Sequence, residues 1–355
     1  MKVWYFINRT TILLFMLIFT SCKKNNNSNI KTIEVNEFPF TINIYPFQES
    51  KDDIFNFGYV DLKLIDDYIV VADHKSDKML RFLDKKSLNY LFSEVSKGKG
   101  PNELLLSGPL QVKENSLFLL DEIKKQLYQY DINKLNSQDF FIPERKYNIS
   151  ITAIVDAKLI EPNSILVSGW IDDGLVCIYD SLGSKKKAFG NVPDGCPKGY
   201  HNTGYFNRSN LLRINLFPNN RSFIVSSLFS DKLQVFTTSG IESFDIIGPD
   251  FTTPKFIYKN NYFIIDDNSK FGYVDVEVKE KYIYGLYSGF SQTEMMKGKV
   301  LASSIFVFKH NGTPIGRFNL DRDIKAFDID ETNGLFYMLQ LKPTNQIFKY
   351  RYEIP

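Results

Sequence analysis

The stretch FGYVDLKLIDDYIVVAD, Phe57 to Asp73, returns later in the chain as FGYVDVEVKEKYIYGLY, Phe271 to Tyr287, with its first five residues and a Tyr-Ile pair unchanged. The offset is 214 residues, too long for one supersecondary unit. Both copies mix apolar, β-branched and aromatic residues in short runs bounded by Asp, Asn and Gly, which is the chemistry of strands. The end of the first copy, DYIVVAD, aligns with NSLFLLD, NSILVSG, RSFIVSS, KYIYGLY and NGLFYML. That alignment places Val70, Phe118, Leu166, Ile224, Tyr284 and Phe336 in one column, at spacings of 48, 48, 58, 60 and 52 residues.

Each run is followed by a second strand of shared pattern: KMLRFLD, QLYQYDI, LVCIYDS, KLQVFTT, SIFVFKH and QIFKYRY. A unit of about 50 residues with several short antiparallel strands cannot bury both of its faces alone, so neighbouring units stack around an axis. The expectation is an all-β chain forming a six-bladed β-propeller with four-stranded antiparallel blades, the two copies of the opening stretch lying four blades apart. The last unit ends at QIFKYRYEIP with only three strands' worth of chain, whereas IKTIEVNEF, Ile30 to Phe38, is a strand with no unit of its own. This N-terminal strand is expected to close the last blade and remove its open edge. The alternative is a seventh, degenerate unit between Ile247 and Tyr273.

The chain begins with Lys2 and Arg9, an apolar run from Thr11 to Phe19, and then TSCKKNNNSN. This is the layout of a secretory signal, and the run is well short of the ~20 residues that cross a bilayer. Ser21 directly before Cys22 resembles the lipobox of bacterial lipoproteins, although Phe19 stands where that pattern prefers Leu. The resemblance implies cleavage before Cys22 and acylation of the new terminus, an anchor worth ~0.8 kcal/mol per buried methylene. Residues 1–21 are then the signal, 22–29 a polar flexible tether, and 30–355 the propeller.

SKGKGPNELLLSGPLQV, Ser96 to Val112, resembles the Gly-x-Gly-Pro-x-Glu signature of the NHL-like or TolB-like six-bladed propeller lipoproteins of Bacteroidota. The matching residues are Gly98, Gly100, Pro101 and Glu103, with Asp121 closing the next strand and Asn102 where that family commonly has Gly. The resemblance implies the propeller fold and a cell-envelope location, on the outer membrane or facing the periplasm. On physical grounds Gly98 and Gly100 are expected to adopt positive φ at the crossover between blades. Pro101 fixes one dihedral of that crossover, and Glu103 accepts backbone N–H bonds of the turn.

The full chain carries 43 Lys and Arg against 41 Asp and Glu, and removing residues 1–21 takes Lys2 and Arg9 away, leaving the remainder neutral. That argues against a nucleic-acid partner, which selects for a basic face. His74, His201 and His310 fall in different units with no metal-binding spacing, and there is no nucleophile-elbow motif. Asp73, Asp121 and Asp172 sit where second strands end, as turn formers or, alternatively, as members of a channel metal site. No cofactor is expected. Cys177 and Cys196 either pair or are a core residue and a loop thiol. Asp180 to Leu182 resembles an Asp-Ser/Thr-aliphatic O-glycosylation acceptor of this phylum.

Three long connections fall on the face where strand two turns into strand three and strand four crosses to the next blade. They are PDGCPKGYHNTGYFNRSN (193–210), GPDFTTPKFIYKNNYFIIDDNSK (248–270) and SGFSQTEMMKGKVLASS (288–304). Loops on a rigid scaffold are where binding residues concentrate. Tyr200, His201, Asn202, Tyr205 and Arg208 form the densest polar and aromatic group there and are the expected ligand-binding residues. The function expected is that of a membrane-anchored envelope protein whose propeller binds a small molecule, a glycan or an envelope protein. The alternative is a lactonase-like hydrolase or lyase with a metal at the channel mouth.

Overall fold

The computed structural model describes residues 31–51, 59–135, 141–160, 163–171, 173–190, 211–240, 243–259, 262–298, 302–340 and 346–355. It is a six-bladed β-propeller. An N-terminal arm supplies β1 (Lys31–Glu34), β2 (Thr41–Ile44) and β3 (Pro46–Glu49). Blade one is β4 (Tyr59–Ile65), β5 (Tyr68–Asp73), β6 (Lys78–Asp84) and β7 (Tyr90–Ser96). Blade two is β8 (Ser107–Lys113), β9 (Ser116–Asp121), β10 (Gln126–Asp131) and β11 (Arg145–Asn148). Blade three is β12 (Ile154–Ile160), β13 (Ser164–Gly169), β14 (Val176–Asp180) and β15 (Lys185–Phe189).

Blade four is β16 (Arg213–Leu216), β17 (Ser222–Ser226), β18 (Lys232–Thr237) and β19 (Ser243–Ile247). The stretch read as an alternative seventh unit forms, among the described residues, a single hairpin, β20 (Phe256–Lys259) and β21 (Tyr262–Ile265). Blade five is β22 (Tyr273–Val278), β23 (Tyr282–Tyr287), β24 (Ser304–Lys309) and β25 (Pro314–Leu320), with a short helix α1 (Gln292–Met296) between β23 and β24. Blade six has β26 (Ile324–Asp330), β27 (Leu335–Gln340) and β28 (Ile347–Arg351) of its own. The opening repeat therefore lies in the inner strands of blades one and five, four blades apart.

The sixth blade is closed from the N-terminus, but by β3 and not by the strand read from the sequence. β3 runs antiparallel to β28, pairing Phe348 with Glu49 and Lys349 with Gln48. Ser50 continues the seam, donating its amide to Ile347 O at 2.8 Å and accepting from Ile347 N at 3.1 Å. The segment around Ile30 to Phe38 instead places β1 parallel to β19, as a fifth strand on blade four. β2 likewise lies parallel to β25 on blade five. The arm thus runs along the outer edges of three consecutive blades, and Phe38 and Phe40 dock on Phe306 and Phe318 at ring-centroid distances of 4.6 and 5.6 Å. Gly316 makes the second contact possible, because a Cβ there would lie 2.0 Å from the Phe40 ring.

Alternation within each strand assigns successive residues to opposite blade junctions. In β5, Val70 and Ala72 pack with Leu110, Leu119 and Tyr128 of blade two, while Ile69 and Val71 pack with Ala326, Tyr337 and Leu339 of blade six. Each of the six junctions holds one such apolar cluster. The register also corrects the sequence column. In five blades the column residue pairs with Lys63, Gln111, Lys158, Asn215 or Glu277 of the inner strand. The equivalent in blade six is Tyr337, opposite Asp328, whereas Phe336 lies opposite Ile329. The alignment was one residue early there.

Gly98 and Gly100 are needed for a different reason from the one expected. Neither is among the residues with positive φ. What they provide is space for Glu103: a Cβ on Gly98 would lie 2.1 Å, and one on Gly100 2.8 Å, from its carboxylate. Glu103 accepts the Gly100 amide at 2.7 Å, as expected of the turn, and Lys124 Nζ bonds the Gly100 and Glu103 carbonyls at 2.8 and 2.7 Å.

Candidate functional site: the central channel

The inner strands β4, β8, β12, β16, β22 and β26 surround the axis and present charged residues to it. A cavity of about 450 Å³ is lined by Lys63, Gln111, Lys158, Asn215, Glu277 and Asp328, together with residues of the turns that join first and second strands, such as Glu114, Lys279 and Glu280. It opens on the face of those turns. Nearer the starts of the inner strands, towards the crossover face, the channel narrows to a hollow of about 20 Å³ lined by Asp61, Pro109, Asp156, Arg213, Asp275 and Lys325. Lys63, Lys158 and Asn215 border both spaces.

Most of these polar side chains join one blade to the next. Asp61 accepts the Leu110 amide at 2.9 Å, Asp156 the Ile214 amide at 2.9 Å, and Asp275 the Phe327 amide at 3.2 Å. One residue pair further along, Gln111 accepts the Leu159 amide at 2.7 Å and Asp328 the Leu64 amide at 2.7 Å. The bonds alternate between two levels around the ring, the odd blades using the first level and the even blades the second. Blade four should use Asn215 to reach the Val278 amide. Among the described residues it makes no such bond, so this junction alone lacks its side-chain staple.

The lysines are committed as well. Lys63 pairs with Asp61 at 3.1 Å and with Glu277, Lys158 with Asp156 at 3.1 Å and with the Leu110 carbonyl at 2.8 Å, and Lys279 with Glu277 at 3.1 Å and with Asp328. Burial alone would raise the Asp61 carboxyl, but Lys63, Lys158 and Arg213 outweigh it and hold it below its ordinary value. For Asp275 burial prevails over the same kind of cations, lifting it to about 7. Burial also depresses Lys325, and the neighbouring Arg213 adds to the effect. These are the shifts expected when desolvation and close charges compete.

Cys22, Asp172, Cys196 and the group Tyr200, His201, Asn202, Tyr205 and Arg208 lie outside the described residues. Asp73 and Asp121 act as turn formers: Asp73 accepts Lys75 N at 3.1 Å and Ser76 Oγ at 2.7 Å, and Asp121 accepts Leu105, Ile123 and Lys124 amides at 2.7 to 3.0 Å. His310 Nε2 lies 2.8 Å from the Lys279 carbonyl. Cys177 is a buried free thiol in blade three, pushed up to about 11 by burial. Ser181 and Leu182 are exposed at a hairpin tip. Among the described residues no group of three or more His, Cys, Asp and Glu side chains is disposed to hold a metal ion.

Two of the three long connections do share the crossover face. Helix α1, capped by Ser291 and Glu294, packs on the connection from blade four to blade five, where Thr293 donates its amide to Asp267 O at 3.1 Å. Tyr287 adds a bond to Asp250 at 2.6 Å. The staple residues had a signal that the sequence reading passed over. VDLKLI (60–65) returns in blade three as VDAKLI (155–160) and in part in blade five as VDVEVK (274–279). The aspartates of this repeat are Asp61, Asp156 and Asp275.

Residues 47–332 match the family described as TolB-like 6-blade propeller-like. Among solved structures the chain is similar to a protein of Bacteroides fragilis described as exported, at 12% identity and TM-score 0.53, covering 90% of this chain and 99% of that one. It is also similar to the Swd1 β-propeller domain of Myceliophteria thermophila, at 8% identity and TM-score 0.48, covering 87% and 100%. BamB of Moraxella catarrhalis follows at 12% identity and TM-score 0.42, covering 83% and 85%. At these identities the likeness concerns the fold. No curated protein matches the sequence.

Proposed function

Because the chain belongs to the TolB-like six-blade propeller family, we propose that it is a cell-envelope lipoprotein, anchored through Cys22, whose propeller is a non-enzymatic scaffold for a small molecule, a glycan or an envelope protein. The observation that carries the scaffold reading is the state of the channel acids. A general acid or base needs a carboxylate within reach of a substrate proton, yet Asp61, Asp156, Asp275 and Asp328 are each held by amides of their own and the next blade or by a lysine. Such groups fix the blades and leave recognition to the loops.

The crossover face is the place for that recognition. Its 248–270 connection exposes Phe251, Ile257 and Tyr258, and the 193–210 connection contributes Tyr200, His201, Asn202, Tyr205 and Arg208. Two measurements test the reading. Cys22→Ser abolishes metabolic labelling by a fatty acid and releases the protein from membranes; a variant still labelled and still membrane-bound refutes the anchor. In a ligand screen, Tyr200→Ala with Tyr205→Ala weakens binding at least about tenfold, as truncating aromatic hot spots does. Asp67→Ala, on the opposite face, leaves binding unchanged. The reverse pattern puts the binding site on the wrong face.

A further inference from the structure

Two cations in the channel stand outside its hydrogen bonds and ion pairs, among the described residues. Arg213 is the first residue of β16 and Lys325 the second of β26, both are partly buried, and both line the narrow hollow. Neither makes a hydrogen bond or ion pair among the described residues, while Lys63, Lys158 and Lys279 each make at least two. Asp61 and Asp275 act on Arg213, and Asp275 and Asp323 on Lys325, through charge alone and without a direct bond. Asp61, Asp156 and Asp275 turn their oxygens to the amides of Leu62 and Leu110, of Ile214, and of Val276 and Phe327, and Asp61 and Asp156 also hold the two lysines of their own strands. Two like charges sharing a desolvated space are unfavourable: burial depresses Lys325 and Arg213 adds to it, against the pull of Asp275 and Asp323.

Arg213 also stands beside the one junction without a staple among the described residues, two positions before Asn215 on β16, and Lys325 reaches the same hollow from blade six. Asn215, which lines both the hollow and the larger cavity, makes no side-chain hydrogen bond there among the described residues. A guanidinium, an ammonium and a neutral amide therefore converge on a space of about 20 Å³, room for one or two water-sized groups. A carboxylate matches this set: it is planar, singly charged and able to take two parallel bonds from the guanidinium fork. A phosphate brings four oxygens in a tetrahedron and a second charge into the view of three carboxylates.

We propose that the crossover-side mouth of the channel is a carboxylate-binding site, in which Arg213 and Lys325 hold the acid group of a small organic ligand and Asn215 donates to it. The inference deepens the scaffold reading and rests on it, yet it fails separately, because anion binding requires neither the anchor at Cys22 nor the aromatic group at 200–208.

The test uses the full-length protein in detergent, with acetate as the probe and chloride and inorganic phosphate as comparisons at constant ionic strength. Binding to the folded state alone raises the melting temperature as ligand exceeds Kd. Acetate is expected to raise it above the chloride reference, and Arg213→Gln and Lys325→Met each to weaken acetate binding at least tenfold. Titration of ¹³C-labelled acetate with the unmodified protein reads the same binding by line broadening and needs no variant to fold. Equal effects of acetate and chloride mean screening and overturn the site. Stronger binding of phosphate than acetate overturns the carboxylate assignment, and undiminished binding in both variants overturns the residues.

Discussion

Between the sixth and first blades, Asp328 takes the Leu64 amide at 2.7 Å and β3 lies along β28; between the fourth and fifth, Asn215 stands at the equivalent place and reaches no amide among the described residues. The ends of the chain meet inside blade six, where the pairing of β3 with β28 is non-covalent, and from β3 the chain runs on into β4 of blade one. The second joint is crossed by the chain in the same way. It is packed by Phe306, Phe308, Tyr273 and Phe217 and reinforced by the Gly272 amide on the Leu228 carbonyl at 2.7 Å. The aromatic packing of this joint stands where the other joints carry a polar staple, and Arg213 and Asn215 make no hydrogen bond beside it among the described residues.

The largest effect that would break this contrast is at the closing seam. Removing residues up to 30 should leave the melting temperature within about 2 °C, since it takes none of the described strands, which begin at Lys31. Removal up to 39 takes β1 from blade four and should destabilise moderately. Removal up to 51 takes β3 as well and exposes the edge of β28, with Phe348 and Tyr350; the loss should be on the order of 5 kcal/mol or more, enough to abolish cooperative unfolding in a thermal scan. Equal melting temperatures for the last two truncations would contradict closure by β3.

Side-chain staples come next. Asp328→Ala leaves the Leu64 and Ile329 amides without their acceptor and the Lys279 ammonium with Glu277 alone, and should cost about 3–5 kcal/mol in urea denaturation. Asn215→Ala removes no bond and should stay within about 0.5 kcal/mol. Similar losses at the two positions would erase the distinction between the seams.

A pH profile probes the acids that do not gain from their cations. Asp275 titrates near 7 in the folded chain against 3.8 as its ordinary value. The folded state thus keeps this proton to higher pH than the unfolded chain, and stability falls as pH rises through that window, by at most about 4 kcal/mol for a three-unit shift. Asp275→Asn should flatten the profile between roughly pH 4 and 7. Glu277, raised in the same direction by burial, leaves a residual slope of the same sign. An unchanged profile in the variant would remove Asp275 from the account.

The smallest expected effect sharpens the comparison from the other side. Asn215→Gln restores the side-chain length of Gln111, which accepts the Leu159 amide at the equivalent place. It should add about 0.5–1 kcal/mol, the net worth of one hydrogen bond. A loss instead of a gain would mean the junction is too wide for any staple.

The repeating unit, the number of blades and the need for N-terminal closure were legible because they rest on strand periodicity and unit length. Which strand closes the ring was not. IKTIEVNEF alternates like a strand and PFQES begins with a proline, yet edge pairing is decided by where the arm runs, and its first strand met blade four before its third met blade six. The glycines of the Gly-x-Gly-Pro-x-Glu stretch were rightly singled out, but only the folded turn shows that they clear space for Glu103. VDLKLI and VDAKLI carried the staple positions openly. Arg213 and Lys325 had no such signal, since what distinguishes them is that neither makes a hydrogen bond or ion pair among the described residues.

The central claim is that five blade junctions are stapled by side chains and one is not, and amide hydrogen exchange reads it directly. The amides of Leu64, Leu110, Leu159, Ile214 and Phe327, each held by a side chain of the preceding blade, should exchange only with global opening, at the protected end of the range that local stability spans. The Val278 amide, beside the cavity at the fourth junction, should exchange at least about 100-fold faster, the reach of a few kcal/mol in local opening. Protection of Val278 equal to the other five would contradict the account.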